Sequence, residues 1–238
     1  MKKILTLLAV ATAVTTGSSA AMTGKFYGGL GLGMKKVHAE MGGYTASLGG
    51  RASNSDIYDV TSDKFAGQVF LGYRLGVSEM FYAGLEIDAN SPYTYKNEAD
   101  PEVKRNNTEF NEPKIKTGLG FGASLLLGWN VNESSSLFIR LGGEYRKHQI
   151  SPNLGSAFNG LTHQQRTAKR SYTDFSFVPG VGGTMKMNDT LELSLDYRVN
   201  IGNGKKFGTN STTDFTTKHT DKSHTMMARI SYCFKKLG

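Results

Sequence analysis

The chain has 238 residues, a length that suits a single domain. Its formal net charge of +8 comes from lysines and arginines scattered along the chain, a pattern that favours solvated loops and a charged interior over a nucleic-acid interface. A single cysteine, Cys233, excludes an intramolecular disulfide, so another force must hold the fold together.

The first residues have the order of a secretory signal peptide. Lys2 and Lys3 are followed by an apolar run over 4–13 and by small residues over 17–21. The run is too short to cross a bilayer, and no longer apolar run follows it. We therefore predict a cleaved signal peptide over 1–21 and a single mature domain over 22–238. Cleavage after Ala20 and cleavage after Ala21 fit equally well.

The mature chain alternates apolar and polar residues with a period of two, which predicts β-strands. Each alternating segment has roughly ten residues, the length that a tilted strand needs to cross a bilayer. In chain order, the eight segments cover 26–35, 65–75, 81–89, 118–129, 137–146, 175–185, 191–201 and 226–234.

Short and long connections alternate between these segments. The short ones are 76–80, 130–136 and 187–190, and the long polar ones are roughly 36–63, 90–114, 147–173 and 202–222. Short periplasmic turns and long extracellular loops are typical of a membrane barrel, whereas a soluble β-sandwich does not sort its loops in this way. We predict an all-β fold, an eight-stranded antiparallel transmembrane β-barrel.

The polar faces of the segments combine many glycines with charges of both signs, which indicates a narrow, packed lumen. We predict a lumenal charge network of Arg74, Glu86, Arg140, Glu144, Asp196, Arg198 and Arg229. Within it, we expect Asp196 to pair with Arg229 on the neighbouring strand and Glu86 to reach Arg140 across the lumen. Unpaired buried charges are unfavourable, so the network is interpreted as a structural plug. The alternative is a gate that opens when the charges exchange partners.

Aromatic residues lie near the segment ends on the apolar face, where amphipathic rings prefer the headgroup layer of a bilayer. We predict that the membrane-interface aromatics are Phe26, Tyr73, Phe81, Trp129, Tyr145, Tyr197, Tyr232 and Phe234.

The sequence gives little sign of enzyme chemistry. Its five histidines fall in predicted loops or at strand ends. A lipid-modifying barrel enzyme would need a histidine beside a serine and a carboxylate at the outer rim, where His38 and His148 are expected. Serine is common in these loops, so chance explains the proximity of Ser151 to His148. No Cys, His and Asp spacing suggests a metal site, and no phosphate-binding loop leads from a strand into a helix. We therefore predict no catalytic, cofactor-binding or metal site, and we interpret Cys233 as a small packing residue in the lumen. The stretch 147–170 is basic and suits acidic polymers, although a solvated loop is the simpler interpretation.

Three stretches resemble known outer-membrane proteins. Segments 72–75 and 81–86 resemble the second hairpin of small outer-membrane barrels, and 177–183 is similar to the sixth strand of opacity-protein-like surface antigens. Residues 230–234 resemble the aromatic-terminated signal read by the barrel assembly machinery. Two features depart from the family pattern. Residues 235–238 follow the terminal Phe234, and Pro179 falls inside a strand, where we expect a bulge or a local distortion.

The resemblance implies a surface protein in the outer membrane of a Gram-negative bacterium. Its implied partners are outer-membrane lipid and lipopolysaccharide, the barrel assembly machinery and host surface ligands. We predict a non-enzymatic barrel whose extracellular loops mediate adhesion or envelope and host contacts. The alternatives are a structural barrel that stabilises the membrane and a small pore or transporter for apolar solutes.

Overall fold

The computed structural model describes residues 24–42, 45–48, 51–54, 58–96, 114–151, 170–202, 205–207 and 217–234. The predicted signal peptide over 1–21 and the departure at 235–238 lie outside these residues. Among the described residues there is no helix that is long and apolar enough to cross a membrane.

The described part of the chain forms strands joined by turns. In chain order, the strands are β1 (Gly24–Gly42), β2 (Thr45–Leu48), β3 (Arg51–Asn54), β4 (Tyr58–Gly76), β5 (Phe81–Asn90), β6 (Tyr93–Lys96), β7 (Lys114–Asn130), β8 (Ser135–Ser151), β9 (Arg170–Lys186), β10 (Leu191–Gly202), β11 (Lys205–Phe207) and β12 (Thr217–Cys233).

Eight of these strands form a closed antiparallel barrel, as predicted. The order around the wall is β1, β4, β5, β7, β8, β9, β10 and β12, and β12 pairs back with β1. The closing seam begins with Tyr27 opposite Cys233, and the backbone N–H of Phe234 donates to the carbonyl of Phe26. β2 and β3 form a separate hairpin, while β6 and β11 add short ladders to β7 and β12.

The barrel has two unlike ends. We call the end with the tight connections over 77–80, 131–134 and 187–190 the turn end, and the opposite end the loop end. Six of the eight wall strands have 17 or 19 residues, so the prediction of roughly ten residues was wrong for them. The apolar alternation stops where both faces of the wall are polar, but backbone pairing continues because each strand still has neighbours. Parts of all four predicted long loops are therefore strand.

The alternation separates an apolar outer face from a packed interior. On β1, the outward side chains of Leu30, Leu32 and Met34 are 58–65% exposed, whereas the inward Lys35 is 6% exposed. The same inversion holds along β8, where outward Ile139 is 48% exposed and inward Arg140 is fully buried. Because large apolar side chains cover the outside and charges fill the inside, the outer face is suited to lipid.

Pro179 interrupts one ladder without shifting the register. The pairing of β9 with β10 skips from Gly180 opposite Arg198 to Phe177 opposite Ile201, and the register is the same on both sides of the gap. The β8 partner, Leu141, stays paired with Pro179. Proline has no N–H to donate, so a rung is lost while the strand keeps its path. The expected distortion is thus a gap and not a bulge. An irregularity of register occurs instead in β7, between Thr117 and Gly120.

Candidate functional site

The middle of the lumen holds a cluster of buried charges. We call it the central cluster, and it consists of Glu86, Asp88, Arg140, Asp196, Arg198 and Arg229. Alternation on β5, β8, β10 and β12 directs these side chains inward, where they contact one another in the middle of the lumen. With three carboxylates and three guanidinium groups, the central cluster is formally neutral.

Glu86 and Asp196 are the shared acceptors of the central cluster. Glu86 accepts from Arg140 Nη2 at 2.7 Å and from Arg229 Nη2 at 2.6 Å. Tyr27 Oη also donates to Glu86, at 3.1 Å. Asp196 Oδ2 lies 2.6 Å from Arg198 Nη2 and 3.3 Å from both Arg140 Nη2 and Arg229 Nη1. The two ion pairs expected from the sequence, Glu86 with Arg140 and Asp196 with Arg229, are therefore present.

Below the central cluster, towards the turn end, the lumen is filled by an apolar cluster and a second group of charges. The apolar cluster consists of Tyr27, Phe70, Tyr82, Leu126, Phe138 and Cys233, which places Cys233 in packing contact as expected. Glu192 bridges Arg74 Nη1 and Lys25 Nζ, each at 3.1 Å. Arg74 also lies over the rings of Tyr27 and Tyr82, at 5.0 and 4.7 Å from their centroids.

A third polar layer lies between the central cluster and the loop end. Arg146 Nε donates to Glu144 Oε1 at 2.7 Å, and the Arg146 guanidinium lies over the ring of Tyr93. Asn90 connects this layer to the central cluster by donating to both Glu144 and Asp88. The cavity found here among the described residues has a volume of about 30 Å³, enough for little more than a water molecule. Together, the three layers pack the middle of the described lumen, while a larger cavity of about 760 Å³, lined in part by Tyr82, Phe138 and Gly182, opens at the turn end.

The predicted lumenal charge network is thus divided among three layers. Arg74 belongs to the turn-end layer and Glu144 to the loop-end layer, while the other five predicted residues belong to the central cluster. The alternation in the sequence already assigns Asp88, Arg146 and Glu192 to the polar, lumenal face, although the named network did not include them. Lys25 was missed because it precedes the first predicted segment. The prediction also missed the lumenal aromatic rings. The rings of the apolar cluster each lie opposite an inward glycine on a neighbouring strand, and this pattern could have indicated them. For example, a Cβ at Gly128 would lie 2.0 Å from Tyr82 Cζ, so the ring needs a glycine there.

Seven of the eight predicted membrane-interface aromatics project from the outer face, with exposures between 44% and 58%. Tyr73 is half-buried, and its ring packs against Phe26 with centroids 4.7 Å apart. Phe26, Phe81, Trp129, Tyr232 and Phe234 lie near the turn end. Tyr145 lies well inside β8, because that strand continues to Ser151, beyond the predicted end at 146. Tyr197 lies inside β10, which ends at Gly202, one residue beyond the predicted segment.

The prediction that all five histidines fall in loops or at strand ends was wrong for His38 and His224, which lie within β1 and β12. His148 and His219 lie near the ends of β8 and β12, and His163 is outside the described residues. His148 and Arg146 are buried in the lumen, so they do not contribute to a basic outer surface over 147–170. Among the described residues, no group of three or more His, Cys, Asp or Glu side chains is arranged to hold a metal ion.

A closed antiparallel barrel with an apolar exterior and a charged, packed lumen defines the class of transmembrane β-barrels. The family model of the outer membrane protein beta-barrel domain matches residues 6–234, so the chain belongs to that family and is an outer-membrane protein. The turn end is therefore periplasmic and the loop end extracellular.

No curated protein sequence matches the chain. Among solved structures, it is similar to the outer membrane protein OprG from Pseudomonas aeruginosa, with 14% identity, a TM-score of 0.47 and coverage of 90% of this chain and 97% of that one. It is also similar to Ail, the attachment invasion locus protein of Yersinia pestis, in complex with the heparin analogue sucrose octasulfate. There the identity is 14%, the TM-score 0.44 and the coverage 88% and 99%. Neisserial surface protein A gives 14% identity, a TM-score of 0.42 and coverage of 86% and 97%.

Proposed function

We propose that this chain is a non-enzymatic surface protein whose extracellular end mediates adhesion or other contacts with the envelope and with host surfaces. The observation that supports this most is the packing of charged side chains in the middle of the lumen. Arg140 and Asp196 are fully buried at mid-depth, and aromatic rings fill the space below them. A barrel whose mid-section is filled by side chains has little room for a path through it, which favours action through its outer surface or through the segments that its strands present.

The extracellular end offers polar segments of opposite charge. The segment 97–113 contains five carboxylates and two basic side chains, whereas 152–169 contains two basic side chains and no carboxylate. Both lie outside the described residues. Binding functions concentrate on loops held by a rigid scaffold, and basic segments attract acidic polymers. We propose host surface polymers and lipopolysaccharide as partners here, and the barrel assembly machinery as the partner during insertion.

Loop replacement tests the adhesive role. When residues 152–169 are replaced by a Gly/Ser linker of equal length, we expect bacteria that display the protein to lose attachment to cultured host cells and to a surface coated with sulfated polysaccharide. The matched control replaces 97–113 in the same way and should attach at least as well as the parent, because it removes mainly negative charge. Heat-modifiable migration on a gel verifies that both barrels are folded. Unchanged attachment for both variants would instead favour a purely structural barrel.

Planar-bilayer recording tests the pore alternative. We expect no steady conductance from the refolded mature chain, because the buried side chains of the central cluster occupy the middle of the lumen. Regular single-channel steps from this chain would mean that the central cluster does not block the lumen, and they would support a pore.

A further inference from the structure

Four nitrogen-bearing side chains form a compact block on the outer face of the barrel at the closing seam. We call it the seam quartet, and it consists of Lys36, His38, Lys222 and His224. The register of β1 and β12 sets Lys36 opposite His224 and His38 opposite Lys222. The four residues therefore occupy adjacent outward positions on two paired strands. Both lysines are exposed, and both histidines are half-buried.

Neighbouring hydroxyl groups orient both imidazole rings of the seam quartet. His38 Nδ1 lies 2.9 Å from Thr61 Oγ1 on β4, and His224 Nδ1 lies 2.7 Å from Tyr197 Oη on β10. The ring centroids are 6.0 Å apart, with the planes nearly perpendicular. When each hydroxyl donates to Nδ1, the proton of a neutral imidazole is on Nε2, which becomes a donor. The seam quartet then presents two N–H donors and two ammonium groups.

The surroundings of the seam quartet favour an anion at the level of lipid headgroups. The next outward residues towards the periplasm are Met34, Phe65 and Met226, which are 56–70% exposed and belong to the apolar band. Two described acidic positions border the quartet and offset part of its positive charge: Asp63 on β4 lies opposite Lys36, and Glu40 is the next position after His38 on the same face of β1. A group held here would have its acyl chains beside the apolar band and its charge beside the four nitrogens.

We propose that the seam quartet binds a phosphate group on the headgroup of an outer-leaflet glycolipid. The proposal rests on the placement of the apolar band in the membrane and does not depend on adhesion by the loops. Phosphate oxygens accept from Lys36, Lys222 and the Nε2 atoms of His38 and His224, and charge-assisted hydrogen bonds of this kind are the strong ones. A divalent metal fits less well, because the two ammonium groups repel it and the described residues supply no third ligand.

The test titrates the folded, detergent-solubilised mature chain with diphosphoryl lipid A and measures the bound fraction by native mass spectrometry. We expect the pairs Lys36→Ala/Lys222→Ala and His38→Ala/His224→Ala each to weaken binding about tenfold, as the loss of about 1.4 kcal/mol of hydrogen bonding would. The pair His38→Gln/His224→Gln should recover part of the affinity, because the glutamine amide can donate near the position of Nε2. If the His38→Ala/His224→Ala variant does not fold, the glutamine variant replaces it in the test, and it should still bind lipid A more weakly than the parent.

The control pair Lys116→Ala/Lys147→Ala removes two exposed outward lysines from β7 and β8, on another part of the wall. It should leave the affinity for lipid A within about twofold, because exposed charges outside the seam contribute little.

Equal weakening by the control pair, or equal binding of dephosphorylated lipid A, overturns the proposal. Equally tight binding of inorganic phosphate or sulfated polysaccharide at the seam quartet also overturns it, since the site would then serve a soluble anion. So does Zn²⁺ binding that depends on the histidines and not on the lysines. Loss of lipid A binding with cell attachment intact, or the converse, separates this proposal from the adhesive role.

Discussion

Glu86→Gln is expected to destabilise the barrel by about 3–5 kcal/mol, the usual loss when one partner of a buried ion pair is removed. The side chain keeps its shape, but Arg140 and Arg229 lose the charge that they share, and the central cluster changes from neutral to positive. Both Glu86–arginine contacts are fully desolvated and 2.7 Å or shorter. Urea unfolding in detergent micelles, followed through the fluorescence of Trp129, measures the free energy of unfolding.

The matched control for Glu86→Gln is Glu133→Gln, which removes the same charge from the exposed 131–134 turn. Its free energy of unfolding should stay within about 0.5 kcal/mol of the parent. The pair Glu86→Gln/Arg140→Gln restores neutrality and should recover part of the loss, since interacting residues are not additive. Similar stabilities for Glu86→Gln and Glu133→Gln would mean that the central cluster does not hold the barrel together.

Gly29→Ala is expected to cost about 2–3 kcal/mol by overpacking the closing seam. A Cβ at Gly29 would lie 2.0 Å from the carbonyl oxygen of Ile230 and 2.8 Å from the Cα of Ser231. Both atoms belong to the backbone of β12, so no side-chain rotation relieves the contact, and β1 must move away from its partner. The same urea titration measures the loss, and refolding into lipid vesicles should yield less heat-modifiable protein.

Gly67→Ala provides the opposite case on the neighbouring strand β4. The nearest atom to a Cβ at Gly67 is Ser91 Cβ at 3.7 Å, an ordinary van der Waals distance. This variant should be as stable as the parent or more stable by about 0.4–1 kcal/mol, because alanine reduces the entropy of the unfolded chain. Equal destabilisation by the two variants would show that the loss at Gly29 reflects glycine in general and not close packing at the seam.

The sequence predicted the barrel well because a period of two links each residue directly to one face of the wall. It underestimated the strands at the extracellular end, where polar residues such as Thr61 and Asp63 carry no apolar alternation. Pairing there depends on the neighbouring strands, which a single sequence segment does not reveal. The effect of Pro179 also depended on context, since a missing donor removes a rung but need not add a residue to the strand.

For the site, the sequence predicted which charged residues face the lumen and two of the ion pairs that they form. The pair Glu86 with Arg140 followed from similar distance to the turns in a narrow barrel, and the pair Asp196 with Arg229 followed from that distance and from the adjacency of their strands. The link between Arg74 and Glu192 joins β4 to β10 across the lumen, and it depends on how far long side chains reach. The seam quartet was missed because its histidines were assigned to loops. It was also missed because its residues are far apart in the chain and become neighbours only when β1 pairs with β12.

The central claim is that the apolar outer face contacts lipid, and the single tryptophan, Trp129, reports on it directly. Trp129 projects outward beside its cross-strand partner Phe81 near the periplasmic end, and its side chain is 46% exposed. In vesicles made with brominated phospholipids, we expect bromine placed near the headgroup to quench its fluorescence more strongly than bromine deep in the acyl chains. Acrylamide in the aqueous phase should quench it weakly. Strong quenching by acrylamide, with none from bromine at either depth, would place this face in water and contradict the account.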